Sequence, residues 1–266
     1  DGIISSTGMD RYNVKVSADT KLTNNWSSGF TANYITTSID KAVTSGNGLL
    51  RTVYAAPPSY DLAGIPSHVD GNPYTQNSFR GSFDNAYWAM ENNKFTEDTN
   101  RFFGNVYASY QTDFGTTNHK LNAKYMVGVD AYTTHYVDSY GYGSNTGGGR
   151  GQIENYGWTN ATYNSLLTIN YDWHINEDWG LNAVVGNEII QSNRKKYYEY
   201  GTNYNFPGWN HINNATTQQT EEETWKNRTV GFFGNVSASY RNMLYLTLTG
   251  RQDYVSNMPR NNRSFF

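Results

Sequence analysis

The sequence predicts an all-β protein: an antiparallel transmembrane β-barrel segment of about eight strands. Three observations carry that expectation. The first is a stretch that occurs twice. Residues 102–110 read Phe-Phe-Gly-Asn-Val-Tyr-Ala-Ser-Tyr and residues 232–240 read Phe-Phe-Gly-Asn-Val-Ser-Ala-Ser-Tyr, differing only at Tyr107 and Ser237. Successive side chains of a strand point to opposite sides. Phe102, Gly104, Val106, Ala108 and Tyr110 therefore share an apolar face, and Asn105, Tyr107 and Ser109 a polar, uncharged one. Such an apolar face can rest on a soluble core, or on lipid with the polar face toward a lumen. The second observation is composition. Only 37% of the 266 residues are hydrophobic and mean hydropathy is −0.74, yet 16% are aromatic, with 23 Tyr, 12 Phe and 7 Trp. Many rings and few aliphatics suit one-sided strands with interfacial aromatics better than a packed globule. The third is that connections alternate between short and long, as in outer-membrane barrels.

Taken in order, the first strand spans about Arg11–Asp19, with Tyr12, Val14, Val16 and Ala18 on one face. After a short turn, a second near Trp26–Thr37 presents Trp26, Phe30, Ala32 and Tyr34. A long polar stretch, about Asp40–Thr99, holds Pro57-Pro58, Gly64-Ile65-Pro66 and Asp70-Gly71-Asn72-Pro73, all turn chemistry. It is too long for a loop inside a compact soluble domain and ordinary on the outer side of a barrel. The first copy of the repeat is the third strand. The fourth, about His119–His135, sets Leu121, Ala123, Tyr125, Val127 and Val129 against Lys120, Asn122, Lys124, Met126 and Asp130. A Gly-rich loop covers about Ser139–Tyr156. The fifth strand alternates most cleanly, with Ala161 to Trp173 facing one way and Thr162 to Asp172 the other. Asn176-Glu177-Asp178 turns into the sixth strand, which carries Leu181, Ala183, Val185 and Ile189. A long loop is expected from about Tyr200 to Thr224. The second copy of the repeat, a tight Arg241-Asn242 turn and a strand bearing Leu244, Leu246 and Leu248 complete the series. Trp26, Tyr110, Phe114, Trp173, Trp179, Tyr240 and Tyr245 gather beside the short turns, as an interfacial girdle would.

Other features bound the function. No cysteine is present, which removes disulfides, thiolate metal sites and thiol nucleophiles. The net charge of −3 offers no footprint for nucleic acid. No apolar run is long enough for a transmembrane helix, which leaves barrel strands untouched. Asp1-Gly2-Ile3-Ile4 does not read as a signal peptide, and the ending Arg263-Ser264-Phe265-Phe266 reads as the approach to another strand. Residues 1–266 are accordingly expected to be part of one β-barrel domain, truncated at both ends.

These residues resemble a known family. Asn85-Ala86-Tyr87-Trp88, then Asn92-Asn93, then Arg101-Phe102-Phe103-Gly104-Asn105, resembles the SusC/RagA-like TonB-dependent transporters of the outer membrane, which often have Pro where Ala86 stands. Tyr245 to Tyr254 followed by Asn262 to Phe266 resembles a second hallmark, after which the family's chain continues into a further strand; Arg11-Tyr12 and Leu22, Trp26 and Gly29 also fit. No single motif is specific; their order and spacing together are. The resemblance implies a barrel of about 22 strands, of which roughly eight would be a third of the wall. It implies a plug domain outside this chain, TonB acting through that plug, and import of glycans or peptides with a SusD-like surface lipoprotein. It also implies the outer membrane of a Gram-negative bacterium of the Bacteroidota type, in contact with lipid and lipopolysaccharide. An arc of eight strands has open edges, which lipid does not tolerate, and would not transport alone.

The remaining constellations favour no chemistry. Gly147-Gly148-Gly149-Arg150-Gly151 lacks the Lys-Ser/Thr of a phosphate loop and reads as a flexible outer loop. Glu221-Glu222-Glu223 reads as a solvated loop charge run. His68, His119, His135, His174 and His211 have no metal-ligand spacing, so no metal or cofactor site is expected. Asp130, Asp172, Glu188 and Asp253 fall on polar faces, where tuning a channel is the simpler reading than glycosidase chemistry, and no enzymatic activity is expected. Asn25-Trp26-Ser27 and Asn160-Ala161-Thr162 match a glycosylation sequon that an Asn-, Ser- and Thr-rich chain produces freely. Arg194-Lys195-Lys196 beside Tyr197-Tyr198 suits lipopolysaccharide phosphates or, more simply, a solvated face. Tyr87, Trp88, Tyr156, Trp158 and Trp209 are the candidate substrate or partner contacts, as rings that stack on sugars; Trp158 equally suits an outer girdle, and Tyr87-Trp88 a loop packed on itself. Two alternatives remain: a small closed eight-stranded outer-membrane barrel with a structural or adhesion role, and a soluble secreted carbohydrate-binding β-protein.

Overall fold

Alternation of side chains becomes a single wall of hydrogen-bonded strands. A computed structural model describes residues 2–43 and 48–265, so readings that rest on Asp1 or Phe266 lie outside the described residues. Strands β1 (Gly8–Lys21) and β2 (Trp26–Lys41) are followed by helix α1 (Leu49–Ala55), the small hairpin β3 (His68–Val69) and β4 (Asn72–Gln76), and helix α2 (Ala86–Asn92). The wall continues through β5 (Lys94–Thr112), β6 (His119–Tyr140), β7 (Gln152–His174), β8 (Trp179–Tyr204), β9 (Ala215–Tyr240), β10 (Leu244–Val255) and β11 (Ser264–Phe265). The order of the nine-stranded sheet is β1-β2-β5-β6-β7-β8-β9-β10-β11, antiparallel at every step. The sheet is open: among the described residues β1 pairs only with β2, and β11 only with β10.

The register runs without a bulge over most of this wall, so cross-strand rows keep to one face. Ala18, Phe30, Val106, Val127, Ser165, Ile189, Val230 and Tyr254 form one continuous row from β1 to β10. One position along lies Ser17, Thr31, Asn105, Gly128, Asn164, Ile190, Thr229 and Val255, on the other face. The first face is an apolar belt left in the open: Val106, Val185, Phe232 and Leu246 are all exposed. The second, the inner face, carries Arg101 on Asp130 (2.6 Å) and Arg251 on both Glu188 (2.8 Å) and Asp253 (2.9 Å). At the foot of the belt Trp26 meets Tyr110 at 5.0 Å and Trp179 meets Tyr240 at 4.8 Å. Tyr245 does not join them, because it pairs with Ser239 and so turns to the inner face.

The short turns follow local rules. Arg241 and Asn242 both have positive φ (52° and 54°), and Met243 N–H closes the turn on Tyr240 C=O at 3.0 Å. Positive φ at both central residues gives the turn a twist that matches the flanking strands, and three residues, 241–243, separate the paired Tyr240 and Leu244. Arg241 is held there by its ion pair with Asp178, 2.8 Å.

The wall is taller than the alternation suggests. β5 begins at Lys94, ahead of its apolar repeat, and β9 at Ala215, so the loop expected over Tyr200–Thr224 shrinks to residues 205–214. Glu221, Glu222 and Glu223 are therefore strand residues, with Glu222 paired to Lys195 at 2.7 Å on the outward face. Backbone pairing, which ignores side-chain polarity, carries these strands past the belt.

Above the belt the long connections fold into one cap. Asn85 caps α2 by accepting from the N–H groups of Tyr87 (3.0 Å) and Trp88 (3.2 Å). Asp84 ties in the Gly-rich connection: its carboxylate accepts from the Ser144 hydroxyl (2.6 Å) and the Asn145 N–H (2.7 Å). Asn210 reaches α2 from the 205–214 loop, donating to Asn92 C=O at 2.9 Å. The glycine run is a folded turn, with Gly149 N–H on Ser144 C=O at 3.0 Å. A small core of Ile153, Tyr204 and Ala215 sits where these loops meet the strand ends.

Candidate functional site: an aromatic panel on the inner face

Beyond the apolar belt, the inner faces of β6, β7, β8 and β9 form a panel of rings and charges. Its central row, read across the register, is Glu97, Tyr136, Tyr156, Tyr198 and Glu221. Tyr136 and Tyr156 stack with centroids 4.7 Å apart and planes 5° from parallel. Trp158, one row nearer the belt, stands edge-on to Tyr136 at 5.5 Å and to Tyr156 at 6.3 Å. Tyr198 approaches Tyr156 at 6.5 Å. The guanidinium of Arg194 lies between two indoles, 5.4 Å from Trp158 and 5.5 Å from Trp225. Lys41, ion-paired to Glu97 at 3.4 Å, sits over Tyr136 at 4.5 Å.

Carboxylates complete the panel. The Tyr156 hydroxyl donates to Asp138 at 3.1 Å. Burial pushes the Glu154 carboxyl above the usual carboxylate range, and the negative charge of Asp138 adds to it, while a hydrogen bond with Tyr198 opposes. Burial, reinforced by Asp138, likewise raises the Tyr156 phenol, so it stays a donor at neutral pH. These groups lie on β7 outside Ala161–Trp173, the stretch that carries its apolar belt. A cleft of about 340 Å³ opens beside Lys41, Asp138, Tyr140, Gln152 and Glu154. Two polar atoms here are buried without a partner: Trp158 Nε1, a donor, and Asp138 Oδ1, an acceptor. The arrangement offers flat rings to stack on, a free donor and a free acceptor, and an excess of acid. It suits a ligand with apolar faces and hydroxyl or amine groups. Among the described residues no group of His, Asp and Glu is placed to hold a metal.

The five rings singled out by sequence occupy three places. Tyr156 and Trp158 meet in the panel, and Trp158 faces inward, away from any lipid-facing girdle. Trp88 is fully buried, its indole N–H donating to Pro73 C=O at 2.8 Å, and it packs the cap rather than meeting a ligand. Its neighbour Tyr87 is 43% exposed at the mouth of a cavity of about 660 Å³ lined by Leu50, Val53, Tyr60 and Met90. Trp209 stacks between Phe206 (5.9 Å) and His211 (5.0 Å) on the 205–214 loop and stays 44% exposed. Sequence reasoning did not single out Tyr136, Tyr198, Arg194 or Trp225 as ring-panel members. Their signal was parity: counted outward from the belt in steps of two, each falls on the inner face.

No protein-family model matches this sequence, and no curated protein matches it. Solved structures do. The chain is similar to the RagAB peptide importer in its "open-open" state, with 14% identity and a TM-score of 0.75 over 97% of this chain and 29% of that one. The "closed-closed" state gives 16% identity and a TM-score of 0.76 over the same shares. The chain thus spans 29% of the length of the importer chains it matches. At such identity the likeness is one of fold: an antiparallel wall of β-barrel strands.

Proposed function

We propose that this chain is part of the barrel wall of a TonB-dependent importer of the SusC/RagA type, in the outer membrane of a Gram-negative bacterium. Its apolar belt meets lipid, its inner face meets a plug and the substrate path, and its cap meets a surface lipoprotein. Import is energised through TonB acting on the plug, and no residue of this chain does covalent chemistry. Peptides or oligosaccharides are the cargo, with Tyr136, Tyr156 and Trp158 as the contact surface. The observation that carries this reading is the segregation of faces along eight antiparallel strands, in a fold shared with a peptide importer over 97% of the chain.

The test is the native polypeptide in detergent-solubilised outer membranes. A band several times longer than this 30.1 kDa chain, co-purifying with a lipoprotein, is expected. Tyr156→Ala with Trp158→Ala should then reduce uptake while leaving the band's abundance unchanged. A heat-modifiable band near 30.1 kDa would instead select a small closed barrel. A protein that stays in the aqueous fraction would remove the membrane from the reading altogether.

A further inference from the structure

Where each strand leaves the apolar belt on its outward face, the wall changes character, and it does so unevenly. On β1, β2 and β5 the outward residues at and above that border run to Asp10, Asp40 and Asp98. On β6 and β7 they are Thr133 and Thr159. On β8 and β9 they are Lys195, Lys226 and Arg228, next to Gln191 and Asn193. Parity splits the Arg194-Lys195-Lys196 run: Arg194 and Lys196 face the inner panel, and Lys195 alone points outward.

The three outward cations form a tight group. Lys226 and Arg228 are two residues apart on β9, about 7 Å along the strand. Lys195 lies opposite Thr224, diagonal to Lys226 at about 8 Å. Arg228 donates to the neutral Gln191 side chain, 2.9 Å from its Nε, and so keeps its charge uncompensated. Lys226 is exposed and has no side-chain partner among the described residues. Among the described residues the one facing anion in contact is Glu222, which pairs with Lys195; Glu199 lies further out. Directly below Arg228, in the belt, come Val230 and Phe232 on β9, Ile189 on β8 and Tyr254 on β10, of which Phe232 and Tyr254 are exposed. Positive charge set at the rim of an apolar, lipid-sized surface is the arrangement that holds an anionic amphiphile, headgroup on the cations and chains on the belt.

We propose that Lys195, Lys226 and Arg228 form a binding site for the phosphate of a membrane glycolipid in the outer leaflet, on the outer wall between β8 and β9. The proposal rests on the membrane placement argued above, because it needs the apolar belt to lie in lipid. It makes no use of the inner panel. Lys226 and Arg228 contact the phosphate, and Lys195 joins when it exchanges Glu222 for the ligand.

The experiment uses the full-length protein purified in detergent, with two probes: phosphorylated lipid A and the same lipid after phosphatase treatment, scored by native mass spectrometry. Lys226→Gln and Arg228→Gln should each weaken retention of phosphorylated lipid A about fivefold, and a triple variant with Lys195→Gln more than either. Lys226→Arg should restore it. Lys94→Gln, which removes an outward cation on β5, should leave it unchanged. The dephosphorylated lipid should bind the parent and the triple variant alike. Equal retention of phosphorylated lipid A by parent and triple variant would overturn the site. Full displacement by inorganic phosphate alone would overturn the lipid assignment and leave a free-anion site. Heat-modifiable migration and a need for detergent, scored on the same samples, tell whether the membrane placement has survived independently.

Discussion

The ring of Tyr156 lies flat on that of Tyr136, 4.7 Å away and 5° from parallel, across the β6–β7 pair. Both residues sit where the strands have left the apolar belt. Stacked pairs contribute about 0.5–1.5 kcal/mol beyond their buried area. A double-mutant cycle with Tyr136→Leu and Tyr156→Leu should therefore give a coupling of about 1 kcal/mol in the stability of the folded barrel. A coupling near zero would mean that the rings neither brace each other nor form a preset platform.

Trp88 and Tyr87 are neighbours with opposite fates. Trp88 is fully buried under the cap and Tyr87 is partly exposed. Replacing a buried Trp with Ala costs about 3–5 kcal/mol. Trp88→Ala should loosen the cap locally while the wall stays folded. Hydrogen exchange in residues 72–93 should rise by orders of magnitude, with β7 and β8 unaffected. Tyr87→Ala should change exchange little. If both variants behave alike, the helix α2 does not pack as described.

How far these placements were legible in the sequence follows from what the period-2 signal measures. It measures a difference between two media. Within the belt, Val106, Val127 and Ile189 alternate with Tyr107, Met126 and Glu188, so an apolar face lies opposite a polar one, as the proposed membrane placement requires. Eight strands and their short turns were readable for that reason. Above the belt both faces are wet, and Thr220, Glu221 and Glu222 look like a loop although they are strand. The inner panel lay in that silent zone. Tyr156 and Trp158 stood out only because rings are conspicuous, and Tyr136, Arg194 and Trp225 needed the register. Trp88 could not be told from Tyr87, since burial in an irregular cap depends on contacts with Pro73 and Asn85 that no local pattern encodes.

Glu154 gives the panel a pH signature. Its carboxyl is raised by burial and by the charge of Asp138, so the folded state holds a proton that the unfolded chain has released. More protons bound in the folded state means that stability falls as pH rises from the unfolded value of 4.5 through the folded value. Above that window the full cost is present; below it, none. Glu154→Gln should therefore raise the thermal midpoint at pH 7 and leave it unchanged at pH 4. A gain of equal size at both values would mean that the substitution acts through packing and not through charge.

The assignment of faces can be tested at two adjacent residues. Val127 and Met126 sit side by side near the middle of β6; Val127 pairs with Val106 and Ser165 on the belt, and Met126 with Tyr107 and Leu166 on the inner face. A cation at the lipid midplane of a barrel costs about 2–4 kcal/mol, and a lumen position tolerates it. Val127→Arg should thus destabilise the full-length barrel in bilayers by that amount, and Met126→Arg by much less, because Lys124 and Asp130 already share its face. The comparison is internal: the same side chain is added to the same strand, one residue apart, and only the medium differs. In a soluble sheet with its apolar face on a protein core, Val127→Arg would still be costly, but the cost would persist in detergent-free buffer, where a lipid-facing barrel does not remain dispersed. Should Met126→Arg prove the more damaging of the two, the belt would be the inner surface and the panel would face the membrane. The outward cations Lys226 and Arg228 would then point into the lumen and lose their proposed ligand.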